Sequence, residues 1–236
     1  HESTTPALAD MDGDGKAEII ITSYYRESPY TGAMLHVLKY NGTQFEYLPG
    51  FPLNLGYGGD SAPVVGDLNN DGFNEIVCIA GGRLADSTIA AIHVVDKTGR
   101  PLDGWPMKLT YSTPGATPSL YDLDFDGDLE IIIKLSLPAP DFNGIYAFHH
   151  DGSRVVNFPI PVYSGHYFAS VAVGDMTGDS IPELAYGTVT AVDSGLVWAW
   201  NLQGTLLPGF PQKIFATWVD GSVAIADVSG DGKGDV

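Results

Sequence analysis

Asp10-Met11-Asp12-Gly13-Asp14-Gly15-Lys16-Ala17-Glu18 decides the fold, because this nine-residue pattern returns four more times. The copies are Asp67-Leu68-Asn69-Asn70-Asp71-Gly72-Phe73-Asn74-Glu75, Asp122-Leu123-Asp124-Phe125-Asp126-Gly127-Asp128-Leu129-Glu130, Asp175-Met176-Thr177-Gly178-Asp179-Ser180-Ile181-Pro182-Glu183 and Asp227-Val228-Ser229-Gly230-Asp231-Gly232-Lys233-Gly234-Asp235. Their first residues stand 57, 55, 53 and 52 positions apart. A period of that size marks a repeat architecture in which each unit is one supersecondary element.

Outward from the loops, other landmarks keep the same period. Aromatic–proline pairs stand at Phe51-Pro52, Trp105-Pro106, Phe158-Pro159 and Phe210-Pro211, each 16 or 17 residues ahead of the next acidic loop. Between loop and pair, a β-type run ends in a turn glycine at Gly42, Gly99, Gly152 and Gly204. Each unit therefore reads as four short strands with turn signals between them. In the second unit the strands fall at 62–68, 75–80, 90–95 and about 105–110. The strand ahead of each loop has a slim face (Ala9, Gly66, Gly174, Ala226 one residue before the first Asp) and a branched apolar face (Leu8, Val65, Leu120, Val173, Ile225 two before it). Tyr121 departs from the slim pattern. A strand with one slim and one apolar face suits the crowded inner position near a propeller axis. No 3.6-residue apolar period is sustained over twelve residues, so helices are expected to be nearly absent. The expected fold is all-β: a β-propeller of four-stranded antiparallel blades, about four blades plus the start of a fifth. Residues 1–236 form one propeller region, with units at about 5–60, 61–115, 116–168, 169–220 and a partial one at 221–236.

Composition narrows the function. Twenty-nine acidic side chains against 11 basic ones leave a net charge of −18. Such a chain cannot neutralise a phosphate backbone, so a nucleic-acid partner is not expected. An anionic membrane surface is equally unsuitable, and no apolar run is long enough for membrane insertion. Cys78 is the only cysteine and lies in an apolar strand, which reads as an inert core thiol.

The loop spacing is a metal-ligand spacing. Side-chain oxygens at positions 1, 3 and 5 converge if the chain curls, and glycine at position 6 permits the sharp turn. The carbonyl of position 7 and the carboxylate of position 9 complete an oxygen cage that suits calcium, with magnesium the second choice. The candidate ligands are Asp10, Asp12, Asp14, Lys16 and Glu18; Asp67, Asn69, Asp71, Phe73 and Glu75; Asp122, Asp124, Asp126, Asp128 and Glu130; Asp175, Thr177, Asp179, Ile181 and Glu183; Asp227, Ser229, Asp231, Lys233 and Asp235. The position-7 residues Lys16, Phe73, Asp128, Ile181 and Lys233 contribute carbonyls. This is not an EF-hand, because position 12 holds Ile21, Cys78, Ile133 and Tyr186 inside apolar strands instead of a bidentate Glu. Loops one and three, with four candidate carboxylates each, are expected to bind best. Loop four, with Thr177 and with Ser180 in place of glycine, is expected to bind least well. Asp and Asn clusters are also good turn formers, but five in register argue for ions. Five bound dications would move the net charge from −18 to −8.

These features resemble the FG-GAP/VCBS repeat family, whose propeller also forms the head of integrin alpha subunits. Ala62-Pro63 and Thr117-Pro118, just ahead of loops two and three, look like part of the family's signature. The Phe-Gly part is not clearly present, so the match is to the broader repeat and not to an integrin. The resemblance implies calcium bound between the first and second strands of each blade, by the residues named above. It also implies more blades than the four complete units here, so the chain reads as a stretch of a longer one whose open blade edges could pair with another copy.

Other chemistry is weakly signalled. His36 and His93 stand at the same offset before their turn glycines as Tyr146 and Trp198, which marks a packing position. His149-His150 reads as a strand end entering a solvated turn, and His1 as an incidental copper chelator at most. No nucleophile elbow or phosphate-binding glycine loop occurs. Trp105, Trp198, Trp200, Trp218, Tyr24, Tyr25, Tyr57, Tyr163 and Tyr167 could stack on sugars, though core packing is the simpler reading. The stretches 24–31, 56–60, 135–143 and 163–167 vary between units, and variable loops on a repeated frame are where recognition would reside. The expected function is a secreted or cell-surface calcium-binding module for protein or glycan adhesion, without catalysis. The alternatives are the propeller portion of a secreted polysaccharide-degrading enzyme or peptidase, and a structural surface or filament subunit. Asn41-Gly42-Thr43 would be a glycosylation acceptor in a eukaryotic source only.

Overall fold

The computed structural model describes residues 5–25, 32–56, 61–81, 89–110, 116–137, 142–162, 169–189, 195–214 and 221–236. Within them the chain is all-β: four antiparallel sheets that follow one another along the sequence, with no helix among the described residues. The first sheet holds β1 (Ala7–Ala9), β2 (Glu18–Tyr25), β3 (Gly32–Tyr40), β4 (Phe45–Tyr47) and β5 (Leu53–Gly56). The second holds β6 (Val64–Gly66), β7 (Glu75–Gly81), β8 (Ile89–Val95) and β9 (Met107–Thr110). The third holds β10 (Ser119–Tyr121), β11 (Glu130–Leu135), β12 (Gly144–Phe148) and β13 (Ile160–Pro161). The fourth holds β14 (Ala172–Gly174), β15 (Glu183–Val189), β16 (Gly195–Trp200) and β17 (Gln212–Ile214). Of a fifth unit, the bridge Ala226↔Asp235 is formed.

The expected four strands per unit become five in the first sheet. Its stretch between turn glycine and aromatic–proline pair is three residues longer than in the other units. That extra chain lets β4 pair with the end of β3, where the other sheets make single bridges at Val95↔Pro101, Phe148↔Arg154 and Trp200↔Leu206. All four aromatic–proline bonds are cis.

The second strand of each unit reads as an uninterrupted apolar run because both of its faces are covered. Ile76, Cys78 and Ala80 pack with sheet one, while Val77 and Ile79 pack with sheet three. Ile131 and Ile133 join the core shared with sheet two, and Ile132 joins the core shared with sheet four. Successive sheets therefore stack face to face as blades, and the chain's apolar mass lies between them. The first three acidic loops send their second residue into such a core, where Met11, Leu68 and Leu123 are buried, whereas Met176 of the fourth loop is half-buried and Val228 of the fifth is 83% exposed.

The slim and apolar faces of the innermost strands have a packing reason. A Cβ on Gly66 would lie 3.0 Å from Leu120 of the next blade, and one on Gly174 would lie 3.1 Å from Ile225. The branched residue two before one loop thus occupies space left by the slim residue one before the previous loop. At the junction of sheets three and four, Tyr121 and Val173 both pack on the shared core. Leu8, with no described blade before it, is 68% exposed. Polar contacts also cross three of the four junctions at loop level. The Asn74 amide donates to the Asp10 carbonyl (2.9 Å), Leu129 N–H to Leu68 (3.1 Å), and Gly234 N–H to Asp175 (2.9 Å).

Candidate metal centre

Each acidic loop lies between the first and second strands of its unit and is curled by its own carboxylates. Asp10 accepts from the N–H groups of Gly13 (2.8 Å) and Asp14 (3.2 Å) through one oxygen and from Gly15 (2.8 Å) through the other. Asp67, Asp175 and Asp227 hold their loops by the same bonds to position 6, and Asp122 does so at 3.2 Å. The position-5 carboxylate accepts the position-7 N–H in all five: Lys16 to Asp14, Phe73 to Asp71, Asp128 to Asp126, Ile181 to Asp179 and Lys233 to Asp231. Positions 4 and 6 both have left-handed φ in every loop, including the non-glycines Asn70, Phe125 and Ser180. Ser180 therefore does not prevent the curl, although a non-glycine there costs about 1 kcal/mol or more. Position 4 was not legible as a conformational requirement, because three loops meet it with glycine and two do not.

The position-9 acid closes the loop. One of its oxygens accepts the N–H of position 2: Met11 to Glu18 (2.8 Å), Leu68 to Glu75 (2.9 Å), Leu123 to Glu130 (2.6 Å), Met176 to Glu183 (2.8 Å) and Val228 to Asp235 (3.0 Å). The four glutamates are buried. Their second oxygens are left for other partners, and Glu18 Oε1 is buried without any among the described residues. Asp122 Oδ1 and Asp128 Oδ1 in loop three are in the same condition. Buried oxygens lacking a donor, grouped with further carboxylates, are what a hard dication requires.

Loops one and three draw their acids closest. Ligand atoms of Asp10, Asp12 and Glu18 lie within 4.8 Å of one another, as do those of Asp124, Asp126, Asp128 and Glu130. Asp128, read from sequence as a carbonyl donor, brings its carboxylate into the group as well. Loops two, four and five place Asn69, Thr177 and Ser229 at position 3, so they gather fewer charges at the same curl. Asn69 donates to Asp71 at 3.2 Å, and Thr177 donates to Glu183 at 3.5 Å.

Three partners of the loops were missed from sequence. Lys39 Nζ pairs with Asp12 and lies 2.8 Å from Asp14, and this bond to Lys39 is the main reason the Asp14 carboxyl is held below its ordinary range. His149 and His150, read as a solvated turn, instead turn their rings onto loop three. His149 Nδ1 lies 3.1 Å from Glu130 Oε1, and His150 Nδ1 bonds Asp128. A signal was present: Lys39, Asp96, His149 and Asn201 all stand three residues before their turn glycines. Strand register carries that position opposite the closing glutamate, since Leu38 pairs with Ile19, Val95 with Ile76, Phe148 with Ile131 and Trp200 with Leu184.

Of the other histidines, His36 and His93 are packing residues, and His1 and His166 lie outside the described residues. His36, His93, Tyr146 and Trp198 pair across the sheets with Ile21, Cys78, Ile133 and Tyr186. His36 sits between Ser23 (2.7 Å) and Tyr47 (3.0 Å), and burial pushes His93 down to about 4. Burial likewise pushes the Cys78 thiol up to about 12, so it is not a nucleophile at neutral pH. Trp105 and Trp200 are buried in the cores, and Trp198 donates to Thr188 at 2.8 Å. Tyr57, Tyr163, Tyr167, Trp218 and the side chains of Tyr24 and Tyr25 lie outside the described residues, as does all or part of each variable stretch.

Burial pushes the carboxyls of Glu75 and Glu130 up to about 7 when no ion is bound. Between their ordinary value of 4.5 and about 7 the folded chain then holds protons that the unfolded chain has lost, so stability falls as pH rises through that window. In the presence of chelator the melting temperature is expected to decline from pH 5 to pH 8 by calorimetry. With saturating calcium, which needs the ionised carboxylates, the decline should disappear. A chelated protein that grows more stable across this range would contradict the assignment.

No curated protein matches the chain. Among solved structures, the V. cholerae biofilm matrix protein Bap1 aligns with a TM-score of 0.41 and 17% identity, over 86% of this chain and 38% of that one. The chain thus spans well under half the length of that protein. No described helix is long and apolar enough to cross a membrane. Residues 10–78, from the first acidic loop into the strand after the second, match the family model of the FG-GAP-like repeat.

Proposed function

We propose that the chain is a calcium-stabilised, extracellular propeller module that recognises a protein or a glycan and performs no chemistry. The observation that carries this reading is the identical curl of five acidic loops, each closed by its position-9 carboxylate. Carboxylates at positions 1, 5 and 9, with the position-3 side chain and the position-7 carbonyl, supply the oxygen donors calcium takes; magnesium, which demands stricter geometry, fits less well. Millimolar calcium outside cells fills even modest sites of this type. The paired acids are engaged in the loops, which leaves them unsuited to general acid–base work on a substrate.

Recognition falls to the loops that differ between units and to exposed aromatics on the rigid frame. Tyr40, Phe45 and Tyr47 are exposed on the β3–β4 hairpin, with the Tyr40 and Phe45 ring centroids 5.2 Å apart. Such a face can stack on a sugar ring or cover an apolar patch of a protein. Self-association through open blade edges is the further partner mode. The test is binding of labelled polysaccharides and of matrix proteins in calcium and in chelator, with product analysis alongside. Calcium-dependent retention, weakened by Tyr40→Ala with Phe45→Ala and without new reducing ends, supports the reading. Release of oligosaccharides or peptides would replace it with the enzyme alternative.

A further inference from the structure

We propose that the third acidic loop is a mixed nitrogen–oxygen site that takes a borderline transition-metal dication of the zinc class, held by His149 with Asp124 and Glu130. The inference rests on the reading that the acidic loops hold dications, and it sets one loop apart from the other four. Ligand atoms of His149, Asp124 and Glu130 lie within 4.8 Å of one another, and Glu130 is fully buried beneath them.

The histidine is there for an identifiable reason. At the same offset Asp96 turns back to cap its own β-turn, accepting from Thr98 N–H (2.7 Å) and Arg100 N–H (3.0 Å). Asn201 does the same with Gln203 (3.1 Å) and Thr205 (2.9 Å). In the third unit that capping role passes to Asp151, which accepts from Ser153 N–H at 2.8 Å. The His149 ring is thereby released to face loop three. Lys39 reaches loop one from the corresponding place, but an ammonium is a competing cation and cannot ligate. Only His149, of these four, adds a ligand nitrogen.

Imidazole shifts the preference of an oxygen cage away from calcium and toward zinc, cobalt and nickel, which bind nitrogen donors strongly. Two further features of the loop point to a cation. Asp122 Oδ1 and Asp128 Oδ1 are buried without hydrogen-bond partners among the described residues. His150, bonded to Asp128, holds that carboxylate beside the group, the kind of outer support that ligated metals use.

The experiment is calorimetric titration of the chelator-stripped 236-residue chain with zinc chloride in a background of millimolar calcium. The expected result is a zinc equivalent that calcium does not displace. His149→Ala should weaken it by at least tenfold, since outer-sphere changes alone cost about that much. Asp10→Asn, in loop one, should leave it unchanged. His149→Gln serves as a second variant, and calcium-bound melting temperatures confirm that both variants fold. Zinc affinity equal in wild type and both His149 variants would overturn the proposal, as would calcium binding to the loops with no zinc binding; the calcium reading survives either result. If neither ion binds, both fail.

Discussion

Removal of calcium by a chelator is expected to lower the melting temperature of this protein by roughly 6–20 °C, and added calcium to restore it. The size follows from mass action. Extracellular sites with dissociation constants of about 0.1–1 mM, at about 10 mM calcium, each stabilise the fold by roughly 1.4–2.7 kcal/mol. The two loops with the most carboxylates together give about 3–5 kcal/mol, and in a chain of this length each kcal/mol moves the midpoint by roughly 2–4 °C. The opposing state is costly for a visible reason. Four acids of loop three and three of loop one converge on small volumes, and pairs at such range repel by on the order of 1 kcal/mol or more near a surface. Lys39 offsets part of that repulsion in loop one by pairing with Asp12 and Asp14. Differential scanning calorimetry of wild type and of Glu18→Gln with Glu130→Gln measures the effect. Glutamine keeps an oxygen for the N–H of Met11 or Leu123, so the fold of the loop persists while the calcium-dependent increment shrinks. A chelator that leaves the wild-type midpoint in place would refute the structural role of the ion.

Gly104→Ala is expected to destabilise the protein by about 2–5 kcal/mol, read as a shift in the denaturation midpoint. Gly104 has φ of +88°, and a Cβ there would lie 2.1 Å from the carbonyl oxygen of Asp151 in the adjoining unit. Two costs therefore add: left-handed strain of about 1–2 kcal/mol and displacement of a packed neighbouring backbone of roughly 1–3 kcal/mol. The neighbour cannot easily yield, because the Trp105 indole N–H donates to the His150 carbonyl at 2.7 Å across the same junction. Gly42→Ala is the control. Its φ is +96° with nothing within 4 Å of a built Cβ, so only the strain should appear. Equal losses for the two variants would mean that the close approach between units does not limit stability.

Much of this was readable from linear order. Loop spacing, turn glycines and aromatic–proline pairs each report local backbone requirements, and local requirements are written in neighbouring residues. The second-unit strands, expected at 75–80 and 90–95, lie at Glu75–Gly81 and Ile89–Val95. The stronger gathering of acids in loops one and three followed from counting carboxylates at positions 1, 3, 5 and 9. The shared packing role of His36, His93, Tyr146 and Trp198 followed from aligning the units. At Ser180 the hydrogen bonds to Asp175 hold the curl despite the side chain.

The repeated pattern alone thus settled that the chain is built of small antiparallel sheets whose first two strands are joined by an acidic curl, since a turn and a strand depend on residues a few positions apart. Only the folded arrangement decided which distant side chains meet those curls. Lys39 and His149 stand 27 and 19 residues from their partners Asp12 and Glu130. They reach them because strand register sets them opposite the closing acid, and because a neighbouring residue can relieve them of capping the next turn. Register and side-chain direction are properties of paired strands, and that is why the character of each cage, oxygen alone or oxygen with nitrogen, emerges at the tertiary level.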